Sequence, residues 1–494
     1  MEGLNRKIYM KQLFMMKKIM TVCVALVITI SGLLAQTTDT IPQKLTLQQC
    51  IQIALENNNN VQRQQVTSGI AKANWQNAKA YVIPTLNADA NSGIQNGRSI
   101  DPYTNTYSNQ TTNFSNYGLT TSLTLFNAFA IQNSIKQTKL AFKASEFEVQ
   151  QSKDIVALNV ILQYLQILTN QDLLSAAIQQ KDVSSKQVER LSILNEEGNI
   201  SPNLLYDLKG EFANNQLTVV NAQNDFETAR ILLAQLLNIP YNKNRNVERL
   251  VLSDLVQDNT NTSDSIYQAA LQNLAIVKAA ELRMNSAVYG VKSYRSQRYP
   301  TLYFNGGLFT NYSSLATTQQ FANSADIETS SYVIDNGGSK LPVIAKQDNF
   351  SSHKIPYGDQ FSNNFNSSVS IGLSIPILNN FRNKTQIKTA VLQQKDAEIV
   401  LNTTKVQLQQ NVEQAYVNVT SAKERFAALT DQVNAYNESF RVAEIKFNAG
   451  AINSVDYLVV KNNLDQSNLS LIIAKYDYVL RSMLLDYYSG KLRF

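Results

Sequence analysis

The sequence predicts a mainly α protein of long antiparallel helical hairpins with four short strands, arranged as an internal twofold repeat. Three observations carry this. A residue pattern recurs at fixed offsets along the chain, two long stretches (Ala128 to Glu197 and Arg382 to Ala449) contain no Pro or Gly, and four short runs alternate apolar with polar positions.

With 494 residues, 44% of them hydrophobic and 17% charged, the chain suffices for several globular domains or for one elongated body. Only 17 Gly and 9 Pro punctuate it, which favours long uninterrupted elements. The net charge of +6 is spread thinly, without a basic block beyond the N-terminus, and this argues against a nucleic-acid partner.

Met16-Lys17-Lys18 precedes an apolar run from Ile19 to Leu34 that ends in Gly32-Leu33-Leu34-Ala35. A charged start, an apolar middle and a small-residue end describe a secretory leader over 1–35. A membrane anchor is the alternative, but the run falls short of the roughly 20 residues a spanning helix needs. Cys23 lacks the small residues that precede a lipid-modified cysteine, so Cys50 is left as the one mature thiol. One thiol forms no internal disulfide, and the fold must hold by packing or oligomerisation.

Pro84-Thr85-Leu86 recurs as Pro300-Thr301-Leu302, a shift of 216 (300 − 84) that also pairs Ala54-Leu55 with Ala270-Leu271 and Val61 with Val277. Farther on, Phe126-Asn127 matches Leu378-Asn379, Tyr164 matches Tyr416, and Gly198-Asn199-Ile200 matches Gly450-Ala451-Ile452, at a shift of 252 (450 − 198). The second copy is therefore 36 residues longer (252 − 216), with the insertion between Leu302 and Leu378. This gives a first repeat over 36–240, a linker over 241–262, a second repeat over 263–490 with a longer strand–strand loop at about 313–364, and a tail over 491–494.

In the second copy Val412, Ala415, Val419, Ala422, Phe426, Leu429, Val433, Tyr436, Phe440, Ala443 and Phe447 follow steps of three and four, the spacing of a coiled-coil seam. One helix from Arg382 to Ala449 would run about 100 Å at 1.5 Å per residue. Gly198 and Gly450 stop the two long helices, and return helices follow from Pro202 to Leu237 and from Ser454 to Tyr488.

Alternation appears at Leu86, Ala88 and Ala90; at Leu119, Thr121, Leu123 and Leu125; at Leu302, Phe304, Gly306 and Leu308; and at Val369, Ile371, Leu373, Ile375 and Ile377. Such runs fit membrane β-strands with one apolar face. Four strands cannot close a barrel alone and an open edge is prohibitively unfavourable in lipid, so spanning strands must pair with other subunits. Tyr103, Tyr107, Phe309, Tyr312 and Tyr357 are candidates for an interfacial aromatic girdle.

In this order, twice over, these motifs resemble the outer-membrane efflux family typified by TolC. The helix through Ala54-Leu55-Glu56-Asn57-Asn58 looks like its opening helix, the segments at Pro84 and Pro300 like its strand starts, and Leu125-Phe126-Asn127 and Pro376-Ile377-Leu378-Asn379 like its strand-to-helix exits. The resemblance implies a homotrimer whose pooled strands form one twelve-stranded barrel in outer-membrane lipid, continuous with an α-helical tunnel (an α-barrel) in the periplasm. It also implies a periplasmic adaptor and an inner-membrane pump as partners, and no cofactor.

Family tunnels close at a periplasmic tip, which Gly198 and Ile200 of the first copy and Gly450, Ile452 and Asp456 of the second resemble. Asp456 falls on the first acidic position of the mouth, whereas the second is Val459. Asp207, equivalent to position 459 by the offset of 252, is a candidate for supplying charge there, and an ordinary solvated helix residue otherwise. Asp456 reads equally as a cation-selecting mouth residue and as a first-turn aspartate favoured by the helix dipole. Phe447 and Ile452 replace the Tyr and Arg of the best-known member, so apolar packing is expected where that member has a polar lock.

His353 is the one histidine, too little for a Ser-His-Asp arrangement or a multi-histidine metal site, and no phosphate loop is present. The reading is therefore not an enzyme but a passive exit duct. The rival is a periplasmic or surface coiled-coil scaffold without a pore, which leaves the four alternating runs unexplained.

Overall fold

The computed structural model describes residues 42–100, 105–250 and 262–492. The expected leader, Tyr103 and part of the linker lie outside the described residues.

The first half runs β1 (Lys44–Leu45), α1 (Leu47–Asn57), α2 (Asn59–Ala80), β2 (Thr85–Gln95), β3 (Ser99–Ile100), β4 (Tyr107–Ser108), β5 (Thr112–Phe126), α3 (Ala130–Glu196) and α4 (Pro202–Leu236). After β6 (Asn246–Val247) come α5 (Ser263–Asn273), α6 (Ala275–Ser296), β7 (Thr301–Ser313), β8 (Thr317–Ile334), β9 (Lys340–Lys354), α7 (Tyr357–Asn363), β10 (Asn366–Ser374), α8 (Arg382–Asn448) and α9 (Ser454–Tyr488). Helix lengths match across the halves: 11 residues in α1 and α5, 22 in α2 and α6, 67 in α3 and α8, 35 in α4 and α9. Their starts differ by 216 (263 − 47) and 252 (382 − 130), the offsets seen in the sequence.

Local chemistry fixes these boundaries. Thr46 and Gln49 form a reciprocal capping box at α1, Asn58 caps α2, and Asn453 caps α9 through the Asp456 N–H at 2.9 Å. Gly198 and Gly450 adopt φ of 74° and 70° just past α3 and α8. This left-handed turn lets the Asn199 and Ala451 amides donate to Leu194 and Lys446 carbonyls at 2.8 Å, satisfying helix ends that a β-carbon at the turn would strain. At the strand-to-helix exits Ala128 and Phe129, and equivalently Asn380 and Phe381, also take positive φ without glycine's freedom. The same unusual bend occurs twice, 252 positions apart.

Strand order in the main sheet is β10–β7–β5–β2, all neighbours antiparallel. The helices joined to these strands pack in the matching order, α2 on α3, α3 on α6 and α6 on α8. Each strand thus continues into its own helix, giving a single wall that is β at one end and α at the other. Ser286, Gly290 and Ser293 put small residues on the α6 face toward α3, and the two serines donate to the Gln137 and Ala130 carbonyls at 2.8 and 3.0 Å. A β-carbon at Gly290 would meet the end of the Gln137 side chain at 3.1 Å, a tight contact that the amide would have to yield to. Arg283 adds two charge-assisted bonds of 2.8 Å to Glu148 on α3.

Toward the other end α4 packs on α3 and α9 on α8, with α9 also touching α3. Every seam residue named above on α8 is buried or half-buried, whereas off-seam Val406 and Val417 are exposed. The largest core lies midway, where Tyr164 is fully buried among α1, α3, α4 and α9 and donates to the Leu45 and Glu248 carbonyls. Part of the segment expected as linker is held there. The β6 strand pairs in parallel with β1, and the Arg230 side chain donates to the Lys243 and Arg245 carbonyls.

The inserted segment at 313–364 differs from the expected loop. Residues 317–354 form the long β8–β9 hairpin, turned at Asp335-Asn336-Gly337-Gly338-Ser339, and α7 folds back to lay Tyr357 on Tyr312 at 4.7 Å. Its strands are rich in Ser, Asn, Gln and Asp, so the alternation that reveals a half-buried strand is weak.

Candidate functional site

Two regions stand out, the four-stranded sheet and the far end of the helices. In the sheet, pairing places the alternating runs side by side. Ala88, Leu119, Leu308 and Ser367 form one row, Leu86, Thr121, Gly306 and Val369 the next, then Leu123, Phe304 and Ile371, then Phe126, Leu302 and Leu373. These residues lie on one face, which is half-buried along β5 and β7 and most exposed along β10, with Val369 at 75% and Ile371 at 67%. The opposite face is mostly polar, with Thr85, Asn87, Asn116, Thr120, Ser122, Asn305, Ser368 and Ser370, and with the rings of Phe114, Tyr303 and Phe309 laid over Gly93, Gly372 and Gly307. An apolar face and a mostly polar face back to back do not describe a water-soluble sheet. They suit lipid on one side and water on the other.

Pro84 and Pro300 immediately precede β2 and β7, where the missing N–H removes no ladder bond. Among the described residues the outer edges of β2 and β10 have no strand neighbour. Leu125 falls in an irregularity between Thr124 and Phe126, and β10 stops at Ser374, so Ile375 and Ile377 lie beyond the strand. Of the expected girdle aromatics, Tyr312 and Tyr357 cluster on the apolar side with Tyr117, whose hydroxyl accepts from Tyr357 at 2.7 Å. Phe309 points to the polar face, because it pairs with Gly118 and its ring covers the place a Gly307 β-carbon would occupy.

At the far end, Ile200, Phe447 and Ile452 join one apolar cluster with Leu191, Leu205 and Leu208. Its centre is a residue that the sequence did not single out. Tyr457 is 0% exposed and stacks on Phe447 with centroids 4.4 Å apart and 17° between planes. Among the described residues its buried hydroxyl has no hydrogen-bond partner, and burial, with the Glu444 and Asp465 carboxylates, pushes the phenol up to about 12. Tyr457→Phe is therefore expected to leave the tip intact and raise stability by up to about 1 kcal/mol, since it removes an unsatisfied polar atom. Thermal unfolding in detergent checks this, and a lowered midpoint would show that the hydroxyl has a partner.

Asp207 is exposed and accepts from Ser454 Oγ at 3.1 Å, a link from α4 to the start of α9. Asp456 is exposed in the first turn of α9, three residues past its cap. Gly198 and Gly450 form the turns beside them. Just inside lies a second feature absent from the sequence reading. Lys461 on α9 is 3% exposed and lies between Asp465 at 2.6 Å and Glu211 of α4 at 3.5 Å. Asn215 donates to Ser184 Oγ at 3.0 Å beside it. Lys461 with Asp465 looks from sequence like an ordinary i,i+4 surface pair, and nothing local reveals that Glu211 faces it.

Among the described residues no three His, Cys, Asp or Glu side chains are grouped as a metal would require, and no helix is long and apolar enough to cross a membrane.

Comparisons with known proteins agree with this architecture. The profile of the family described as "Outer membrane efflux protein" matches residues 50–238 and 266–491. No curated protein matches the chain by sequence. Similar solved structures include the outer membrane protein VceC of Vibrio cholerae, with a TM-score of 0.72 at 13% identity, covering 90% of this chain and 96% of that one. The CmeC outer membrane channel of Campylobacter jejuni gives 0.71 at 15%, covering 90% and 85%. The MtrE outer membrane channel of Neisseria gonorrhoeae, solved in an open state, gives 0.65 at 17%, covering 90% and 88%. With the family's two matched segments spanning most of the chain and the fold shared end to end, this protein belongs to the outer membrane efflux protein family, a family of channels and not of enzymes.

Proposed function

We propose that the chain is the outer-membrane duct of a tripartite export system, a passive conduit in which three copies close one barrel and one tunnel. The observation that carries this is the open-edged sheet, apolar on one face and polar on the other, whose strands run on into helices in the same order. Closing it with two further copies removes every edge, and β10 of one copy meets β2 of the next antiparallel, as the alternation of direction within the sheet requires. The exposed area supports the same reading: 31965 Å² for a 55.2 kDa chain, against roughly 18,000 Å² for a compact monomer of that mass.

Equal helix lengths and repeated left-handed bends support two copies of one unit, over 36–240 and 263–490. In this arrangement the β end lies in outer-membrane lipid and the helices reach through the periplasm. An inner-membrane pump delivers substrate by way of a periplasmic adaptor that docks near the turns at Gly198 and Gly450. Phe447, Ile452, Ile200 and Tyr457 hold the tip by apolar packing, and Asp207 and Asp456 sit on its exposed surface.

Native mass spectrometry of protein released from detergent tests the assembly. A mass of three mature chains is expected. A monomer that stays soluble without detergent would overturn the duct and favour the scaffold.

A further inference from the structure

The four strands of the main sheet contain one charged residue, Asp89 of β2. The register places it on the polar face, in the row Asp89, Gly118, Phe309, Asn366. Its cross-strand neighbour Gly118 has no side chain, and the Phe309 ring lies against that glycine, 3.4 Å from where a β-carbon would stand. Asp89 itself is exposed.

If the sheet closes with copies of itself, as proposed above, each new neighbour of β2 is another β10, whose side chains are Asn, Ser, Val, Ile, Leu and Gly. Whatever the register, the four strands of this sheet contain no Lys, Arg or His to pair with Asp89; Lys340, Lys346, His353 and Lys354 lie in β9, which pairs only with β8. The nearest bases along its own segment are Arg98 and Lys79, nine and ten residues away (98 − 89, 89 − 79). That is about 30 Å of extended chain for Arg98, well beyond a Debye length of about 8 Å at physiological salt.

We propose that Asp89 forms a ring of unneutralised carboxylates inside the barrel, one from each copy, that makes the membrane-spanning bore prefer cations. The ring is separate from the tip carboxylates Asp207 and Asp456. A water-filled bore walled by low-dielectric lipid concentrates the field of fixed charges, and no other residue of these four strands offsets it. This inference rests on the channel reading, and its substrate consequence is that cationic or neutral cargo meets no barrier in the barrel whereas anionic cargo does.

The test is the reversal potential of the purified full-length protein in planar bilayers under a KCl gradient. Asp89→Asn should lower the potassium-to-chloride permeability ratio by about two- to three-fold, Asp89→Glu should preserve it, and Asp89→Lys should move it toward chloride. Asp456→Asn serves as a comparison at the tip and should leave the Asp89→Asn effect in place when the two are combined. Channels that conduct with an unchanged ratio in Asp89→Asn and Asp89→Lys would overturn the ring while leaving the duct standing. Absence of conductance in the unaltered protein would overturn both.

Discussion

Leu119→Arg is expected to abolish stable membrane assembly, whereas Thr120→Arg, one residue along the same strand, is expected to assemble and conduct. Leu119 lies between Ala88 and Leu308 on the apolar face, and Thr120 lies between Asn87 and Gly307 on the polar one. An arginine facing lipid near the bilayer midplane costs about 2–4 kcal/mol per copy. In a trimer that penalty enters three times, of the same order as the total stability of an ordinary domain. On the polar face the same side chain points into water. The measurement is the yield of detergent-resistant oligomer recovered from membranes. Equal yields from the two variants would show that this face does not meet lipid.

Lys461→Met should loosen the tip more than any change in the apolar cluster around it. It strips the cation from Glu211 and Asp465, whose side chains are only 14% and 19% exposed, and leaves two carboxylates facing each other. Removing one partner of a buried pair costs about 3–5 kcal/mol. Partial exposure puts this case at the lower end. Because Glu211 belongs to α4 and Lys461 to α9, the penalty acts between the two halves of the chain. A lower thermal midpoint and more frequent openings in bilayer recordings should follow. The triple change Lys461→Met, Glu211→Gln, Asp465→Asn should recover most of the stability, since neutral groups carry no unpaired buried charge. A triple variant no better than the single one would mean that packing, not charge, is what Lys461 supplies.

How much of this was legible in the sequence depended on how local each signal was. The long helices were readable because Pro and Gly are absent from their interiors, and the glycines past their ends mark left-handed turns. Ser454 to Tyr488 as a helix follows from the glycine stop before it, the capping residues after that stop and its own apolar seam. The strands of the main sheet were readable because one face is apolar, although the irregularity at Leu125 and the place of Phe309 on the polar face depend on pairing, which no single strand discloses. The β8–β9 hairpin was not readable, because both its faces carry polar residues and alternation has little to report.

The tip shows the same limit. Phe447, Ile200 and Ile452 stand out by family resemblance and share a cluster, but the residue that fills its centre, Tyr457, reads in sequence as one more aromatic beside Asp456. Lys461 and Glu211 are 250 positions apart (461 − 211), and only the packing of α9 near α4 turns an ordinary surface pattern into a buried network. Long-range polar contacts of this kind leave no periodicity to detect.

A duct requires that the chain form a pore. Purified mature protein reconstituted into a planar bilayer should give discrete conductance steps of uniform size, each matching one oligomer. Protein shown to be in the bilayer that yields no steps would contradict the account and leave a membrane-bound helical scaffold in its place.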